Sequence, residues 1–510
     1  MEYNVDYDVV KKPGKDKPLT RKESIEWMKC ADDPFYFITN YCKVASPVGE
    51  ILFEPRDYQK EIIETILNNR HVLLNAPRQV GKSQVMALLV LHKAIFETSV
   101  VSGVSSYSIA SMQDIMDKVK FSYENLPDFL KPAVTIYNQK TIRFTNRSVI
   151  FGQVISEKLF RGKTITGYAI IDEAAFPSEE VMRDAYAAFA PAVEAAGKLS
   201  TAKIIMPSTP RGTTGLWADK VFAAMNNQSN YVYLKVDPSR IPNRDEEFKQ
   251  SMIKEHGLLK YLQEFEGHFI SSSPILVNSM VLESIKPVEP VSVYDDLIEV
   301  YVNSFRGRSV AVACDVAEGV NLDYSVIQVV DVDTFEQIAE YACNVKSQSE
   351  FVKDLYKLLE LMYKDGVDQV YLTWENNGIG AGVSRLIESS TNKYLEQTTI
   401  ISDVNKDGVP TGKSGLSTTH SSKLAGCGDL KDLIESKKLV IRSQKLLNEL
   451  RRFTKKGTSF EAEKGANDDR VMAMIVMMNM LKQVANYEDN VHDVIHEIDT
   501  TDEECWGIAF

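Results

Sequence analysis

Short, wholly apolar runs separated by amphipathic stretches dominate the chain between Ile51 and Thr213. HVLLN (71–75), VVSGV (100–104), YAIID (168–172) and AKIIM (202–206) lack the in–out alternation of a half-exposed strand. They predict strands covered on both faces, with helices between them, which is the rhythm of a parallel α/β sheet. A helix is expected over Arg21–Lys43, and mostly helix over 214–272. Three prolines, Pro274, Pro287 and Pro290, punctuate residues 271–293 and predict a linker there. Beyond it, SVAVACDV (309–316) predicts a buried strand, and SVIQVVDV (325–332) with EQIAEYACNV (336–345) predict a hairpin. A helix over 349–364, the strand QVYLTWE (369–375), helices over 421–436 and 444–453 around a short strand KLVIR, and a last helix from Asp468 complete the pattern. The expected order is a flexible leader (1–20), an α/β domain with a helical subdomain (21–270), the linker, a second α/β domain (294–485) and an acidic tail (486–510).

Composition narrows the class without changing that picture. At 510 residues the chain is too long for one ordinary core, and 44% apolar with 25% charged residues is usual for a soluble protein. No apolar run is long enough for a bilayer and the polar start lacks a signal-peptide core, so a cytosolic protein with no membrane partner is expected. Cys30, Cys42, Cys314, Cys343, Cys427 and Cys505 form no CxxC pair or Cys/His cluster, which argues against zinc and a disulfide framework. The net charge of −13 looks wrong for a nucleic-acid partner. Much of it, however, sits between Glu488 and Glu504, a stretch without Lys or Arg. Between Lys437 and Lys456 the sign reverses, with Lys437, Lys438, Arg442, Lys445, Arg451, Arg452, Lys455 and Lys456 against Glu449. Such a run reads either as a solvated face or as a patch that steers a polyanion.

Candidate chemistry lies at the ends of the predicted strands. HVLLN runs into Ala76-Pro77-Arg78-Gln79-Val80-Gly81-Lys82-Ser83 and then an apolar helix, a P-loop pattern with Ala76 in place of the first glycine. Backbone N–H groups of Gln79 to Gly81 would surround the phosphates of ATP, Lys82 would reach the β- and γ-phosphates, and Ser83 would hold Mg²⁺. Arg78 is a candidate cis arginine finger. In Ile170-Ile171-Asp172-Glu173, Asp172 suits Mg²⁺ held through water and Glu173 suits orienting and deprotonating the attacking water. Ser208 and Thr209 read either as γ-phosphate sensors or as turn chemistry before Pro210. Gln59 could read adenine through its amide.

A second acidic set follows. Asp315 and Glu375 end buried strands, Asp468 and Asp469 open the last helix, and Asp323 lies on the way into the hairpin with Glu318 nearby. Acids in this order fit a ribonuclease H-like fold, where they converge to hold two Mg²⁺ or Mn²⁺ ions for phosphodiester hydrolysis without a covalent intermediate. Of Asp468 and Asp469, the second is favoured.

Together these residues resemble the large terminase subunit of tailed bacteriophages, closest to the contractile-tailed type. The likeness runs from Trp27 to Leu481. It includes RDYQ (56–59), PRQVGKS (77–83), LPDFLKP (126–132), Arg161-Gly162, IIDEAAF (170–176), STPRG (208–212), CDVAEG (314–319), LDYS (322–325), GCGDLKDLIESKKLVI (426–441) and NDDRVMAM (467–474). The resemblance implies a P-loop ATPase domain followed by a ribonuclease H-like nuclease domain. It gives Gln59, Arg78, Gln79, Gly81, Lys82, Ser83, Asp172 and Glu173 the ATPase roles, Ser208 and Thr209 the coupling role, and Asp315, Glu375 and Asp469 the metal acids, with Asp323 as helper. Lys423 resembles a family lysine near that site, and with Arg442, Arg451, Arg452, Lys455 and Lys456 makes up the expected DNA contacts. Pro207 and Asn467 depart from the family pattern. The implied activity is ATP-driven translocation of double-stranded DNA into a procapsid, with cutting of concatemeric DNA at initiation and termination. The implied partners are double-stranded DNA, a portal protein, a small terminase subunit and further copies in a ring on the procapsid. The implied location is the host cytoplasm, with transient attachment to the procapsid and no place in the mature virion. Two rivals differ in class. A helicase-nuclease would need a second nucleotide lobe, for which the sequence leaves no room before the second acidic set. A non-enzymatic structural protein would not need Lys82, Asp172, Glu173 and the acids intact.

Overall fold

The computed structural model describes residues 9–491, apart from 16, 47–48, 196, 198–200, 272–273, 318–322, 378–379, 405–413 and 486–490. The acidic tail and Glu318 therefore lie outside the described residues. The chain divides into two compact units, Met1–Ile270 and Ser271–Phe510.

The first unit is built on eight strands: β1 (His71–Asn75), β2 (Val101–Ser106), β3 (Val134–Tyr137), β4 (Thr141–Phe144), β5 (Val149–Val154), β6 (Tyr168–Ile171), β7 (Lys203–Ser208) and β8 (Val232–Lys235). They lie in the order β8-β1-β7-β6-β2-β5-β4-β3. All pairings from β8 to β5 are parallel, and β5, β4 and β3 form an antiparallel extension. The four expected strands are the middle of this sheet, and His71–Asn75 is buried at every position, as a strand covered on both faces must be. Strand β8 falls in the region expected to be mostly helical. It extends the sheet beside β1.

Two helices, α1 (Asp57–Asn68) and α2 (Lys82–Phe96), flank β1 in sequence. Nearly all of α2 is buried, from Val85 to Ile95, which is why its sequence is apolar all round. The helix expected over Arg21–Lys43 is two helices, Arg21–Asp32 and Pro34–Tyr41. Pro34 has no N–H to continue the first, and Asp33 caps the second by accepting from Phe35 N at 2.8 Å. The leader is pinned in part: Val10 is buried and Lys11 O accepts from Val134 N at 3.0 Å. The unit closes with helix α3 (Leu258–Phe265).

The second unit carries seven strands: β9 (Ser292–Tyr294), β10 (Ile298–Val300), β11 (Ser309–Asp315), β12 (Ser325–Asp331), β13 (Glu336–Cys343), β14 (Gln369–Trp374) and β15 (Thr399–Ile400). Their order is β9-β10-β13-β12-β11-β14-β15. β11, β12 and β13 form an antiparallel meander, and β14 and β15 run parallel to β11. Its helices include α4 (Gln348–Asp365), α5 (His420–Glu435), α6 (Gln444–Leu450) and α7 (Asp469–Val484). Helix α7 packs on β11 and β12 and on α5, and its apolar side chains are buried on every side.

Two expectations are corrected here. The 271–293 stretch is stitched into the second unit: Leu276 N donates to Phe453 O at 3.1 Å, Lys455 N to Pro274 O at 2.8 Å, and Leu276, Val277 and Leu282 are buried. KLVIR makes one bridge, Val440 to Glu336, and no ladder. Its next amides, Arg442 N and Ser443 N, are taken instead by the Gln337 side chain, each at 2.9 Å.

The basic run is also not one exposed face. Arg451 Nε pairs with Glu283 at 2.9 Å, with the two side chains 9% and 14% exposed. Arg452 pairs with Glu463 at 3.7 Å, both nearly buried, and Arg442 pairs with Glu336. These three arginines hold the unit together and are withdrawn as DNA contacts. Lys455 and Lys456 do stand exposed, on the hairpin Phe453–Lys456/Ser459–Ala462. Arg451→Ala is expected to cost the second unit about 3 kcal/mol, because it removes a nearly buried ion pair with Glu283 and the hydrogen bond to Asn448. Lys456→Ala should leave stability unchanged. Urea denaturation of both variants checks this, and a negligible loss for Arg451→Ala would return it to the surface.

Candidate functional sites

The first site forms where β1, β6 and β7 end. Asn75, fully buried, closes β1 and donates to Gly267 O at 2.8 Å and Tyr233 OH at 2.9 Å. The loop that follows is held from four sides. Ala76 N donates to Ser208 O, and Arg78 N to Glu264 O, each at 3.1 Å. Gln59 Nε2 donates to Val80 O at 2.9 Å, and Arg244 donates to Arg78 O. The left-handed positions of the loop are Gln79 (φ 62°) and Gly81 (φ 78°), not Ala76, so no glycine is required at 76. At Gly81 the positive φ favours glycine, and a Cβ would stand 2.6 Å from Gln59 Nε2 and displace the amide that holds Val80 O. Helix α2 starts at Lys82 with no side-chain cap, which leaves its first N–H groups for an anion.

Gln59 is spent differently from the expectation. Its Oε1 accepts from Arg56 N at 2.9 Å while Nε2 holds Val80, so the amide clamps the loop instead of facing open space. Arg78, expected as a finger, has its guanidinium forked onto Glu264, Nε to Oε2 at 2.8 Å and Nη2 to Oε1 at 3.3 Å. Glu264 Oε2 also accepts from Thr209 Oγ1 at 3.0 Å. Ser208 Oγ accepts from Ala175 N at 3.1 Å and donates to Thr209 O at 2.8 Å. The two residues of the coupling segment are thus tied, one to the loop after Glu173 and one to the acid that holds Arg78.

Ser83 Oγ donates to Asp172 Oδ2 at 3.1 Å, which joins the two residues expected at Mg²⁺. Burial pushes the Asp172 carboxyl above its ordinary range, opposed by the charge of Lys82 and the Ser83 hydrogen bond. Glu173 stands in the left-handed region (φ 55°), and its Oε2 is buried without a hydrogen-bond partner among the described residues. Burial, then the charge of Asp172, raises its pKa, against Lys82 and Arg78. A basic carboxylate with an unused oxygen, held in a strained turn beside a phosphate loop, is suited to take a proton from water.

The second site lies where β11 and β14 end and α7 begins. Asp315 and Glu375 end neighbouring parallel strands, Glu375 N donating to Cys314 O at 2.9 Å. Burial first, then Glu375, Asp469 and Asp468, push the Asp315 carboxyl well above its ordinary range. Asp469 is raised to about 6, by burial first, with Asp323 and Asp468 adding to it and the hydrogen bond from Tyr324 N, 3.0 Å to Oδ2, opposing. Asp468 is raised by burial and eased by Ala462 N, 3.1 Å from Oδ2, and by the charge of Lys423. Asn377 Nδ2 bridges Glu375 Oε1 at 3.0 Å and Thr418 O at 2.5 Å. Asp323 is exposed, one residue from the Tyr324 amide that holds Asp469.

Glu375, Asp468 and Asp469 are therefore close enough to act on Asp315, and Asp323 on Asp469. Among the described residues no three such side chains close into a ready-made metal cage. The donors fit a divalent cation all the same: they are hard oxygens, all but Asp323 at least partly buried, and mutually repelling, which is the charge such an ion relieves. Lys423, with its Nζ 5.8 Å from the Phe453 ring, lies where its charge reaches Asp468.

Sequence reasoning missed Glu264 and Arg244, which nothing in their helical surroundings marks. It also missed Arg470, whose signal was present: one charge inside an otherwise apolar helix requires a buried partner.

The comparisons with known proteins agree with this layout. Residues 73–279 match the model of the terminase large subunit, T4likevirus-type, N-terminal, and residues 312–481 match the terminase RNaseH-like domain. Among solved structures, the large terminase of bacteriophage HK97 is 11% identical, over 88% of this chain and 99% of that one, at a TM-score of 0.43. That of the thermophilic bacteriophage D6E is 12% identical over 84% and 99%, at 0.35. The large terminase nuclease from thermophilic phage G20c with bound magnesium is 19% identical over 41% and 98%, at 0.32. The family rests on the two sequence models and not on these superpositions.

Glu173→Gln is expected to stabilise the first unit at pH 7 by about 1 kcal/mol, since it removes a buried charge that lacks a partner. The sign follows from the raised pKa. Wild type carries the penalty only where Glu173 is ionised, so the difference should shrink as pH falls through the carboxylate range. Thermal melts of both proteins from neutral to mildly acidic pH check this.

Proposed function

The chain belongs to the phage large terminase subunit family, and from that premise we propose how its two sites divide the work of packaging DNA. The protein is the ATPase and nuclease of a viral DNA-packaging motor. In the first unit, Lys82 and the α2 amides hold the ATP phosphates, Ser83 and Asp172 hold Mg²⁺, and Glu173 orients the attacking water and takes its proton. Arg78 leaves Glu264 for the γ-phosphate when nucleotide is present, and Thr209 reports that change through the same carboxylate. The forked Arg78–Glu264 contact with Thr209 on the shared oxygen supports this.

In the second unit, Asp315, Glu375 and Asp469 hold Mg²⁺ or Mn²⁺, with Asp468 and Asp323 adding negative charge nearby. A divalent ion there would supply hydroxide from water and stabilise the departing oxygen. The observation that carries the reading is that Asp315 and Glu375 end neighbouring parallel strands and Asp469 opens the helix packed on them. Magnesium in the nuclease of phage G20c accords with it, and ADP in the large terminase of D6E accords with the nucleotide site proposed for the first unit. Lys423, Lys455 and Lys456 grip the duplex through phosphates and without regard to sequence, which a processive motor needs. The motor acts in the host cell, as a ring of copies on the procapsid portal, with a small terminase subunit as partner. No helix among the described residues is long and apolar enough to cross a membrane.

The decisive experiment is protection of DNA from added nuclease by the chain, procapsids and ATP together. Protection without ATP, or none with it, overturns the motor reading. The two sites should also separate. Lys82→Ala is expected to lower ATP hydrolysis at least ~100-fold while plasmid nicking with Mn²⁺ persists. Asp315→Ala should do the reverse, and loss of both activities in either variant would deny two independent centres.

A further inference from the structure

The residue after Asp469 carries a charge into the core. Arg470 is 5% exposed, on a helix whose inward side chains beyond it are apolar. Its guanidinium sits between two carboxylates, with Nε donating to Glu340 Oε1 at 2.8 Å and Nη1 to Glu449 Oε1 at 2.7 Å. Glu449 Oε2 also accepts from the Arg470 and Val471 amides, at 2.8 and 3.4 Å. These are first-turn N–H groups for which Asp468 supplies no side-chain cap. Glu340 Oε2 is fixed in turn by Gln328 at 2.9 Å and Gln337 at 3.3 Å. Gln328 on β12 lies opposite Ala313 on β11, two residues before Asp315. The guanidinium further lies over the Tyr324 ring, 5.3 Å from its centroid, and Tyr324 N is the donor to Asp469 Oδ2.

Well-packed apolar residues could fill the same space without desolvating three charges. What the ionic arrangement adds is fixed geometry, from the Asp315 strand, through Gln328 and Glu340, to the first turn of α7. We propose that Arg470 is a positioning residue for the nuclease centre. It locks the start of α7 to the sheet and holds Tyr324 against Asp469, so that Asp469 Oδ2 is tied and Oδ1 is left for a divalent cation. This rests on the nuclease reading above. A carboxylate that must share a cation with acids from two strands has to be held to within about 0.5 Å, and side chains that orient ligands typically govern metal affinity by ~10–100-fold.

The test uses the full chain. Mn²⁺ is titrated calorimetrically without DNA, and the Mn²⁺ dependence of plasmid nicking is measured beside it, with ATP hydrolysis as a check on the first unit. Arg470→Lys keeps the charge but loses the fork. It should raise both the Kd for Mn²⁺ and the concentration for half-maximal nicking ~10-fold, with a smaller loss of rate at saturation. Arg470→Met should raise both towards ~100-fold, so that the lysine variant counts as partial rescue. If Arg470→Met does not fold, Glu340→Gln, which keeps shape and removes one charge, should shift both in the same direction. Wild-type Mn²⁺ requirements in Arg470→Lys and Glu340→Gln overturn the proposal, as does a lower rate with an unchanged metal requirement. A wild-type chain that neither binds Mn²⁺ nor nicks sinks the nuclease reading itself, and the positioning role with it.

Discussion

Carboxylates held side by side out of water are the constraint on which both units are arranged. Asp172 beside Glu173, and Asp315 beside Glu375 and the Asp468–Asp469 pair, repel one another where little solvent screens them. Left alone, such groups would protonate or swing apart. In the first unit Lys82 and Ser83 oppose that tendency directly. In the second the opposition comes from backbone amides, Tyr324 to Asp469 and Ala462 to Asp468, and from the charge of Lys423. Both centres are thus poised for cations, and both need scaffolding that apolar packing alone does not supply.

That scaffolding differs between the units. Around the P-loop it is distributed: Gln59, Glu264, Arg244 and Ser208 each hold one point of the loop, from four separate parts of the sequence. Glu264 has a further property. Because it holds both Arg78 and Thr209, whatever draws Arg78 away also changes what Thr209 is bonded to. In the second unit the scaffold is concentrated in one buried arginine and its two acids, which join α6, α7 and the sheet.

The chemistry at strand ends was legible because a strand buried on both faces is a continuous apolar run, and a polar residue that ends it stands out. HVLLN before the P-loop, YAII before Asp172, and the strands before Asp315 and Glu375 all have that form. What was not legible depends on partners distant in sequence. Arg451 and Arg452 look like part of a basic patch until Glu283 and Glu463 come beside them. Gln59 carries an amide that could read a base, and the fold spends it on Arg56 and Val80. The prolines of 271–293 do interrupt regular structure, yet Leu276, Val277 and Leu282 have apolar surface to bury and draw the segment into the core. Val232–Lys235 has too little burial to announce a strand, and only the open edge of β1 makes it one.

On the proposed nuclease reading, the same physics favours Asp469 over Asp468. Asp468 precedes the helix, with its Oδ2 bonded to Ala462 at the foot of the exposed hairpin and with the Lys423 charge nearby. Part of its negative charge is already answered by protein groups, and its position follows a segment that stands in solvent. Asp469 is the first residue of α7, is less exposed, and is bonded to the Tyr324 amide, with the charges of Asp323 and Asp468 raising its pKa and that of Arg470 opposing them. It also acts on Asp315 more strongly than Asp468 does. A cation placed among these acids gains most from the carboxylate whose frame is most rigid. On the proposed nuclease reading that is Asp469, with Asp468 shaping the field around it.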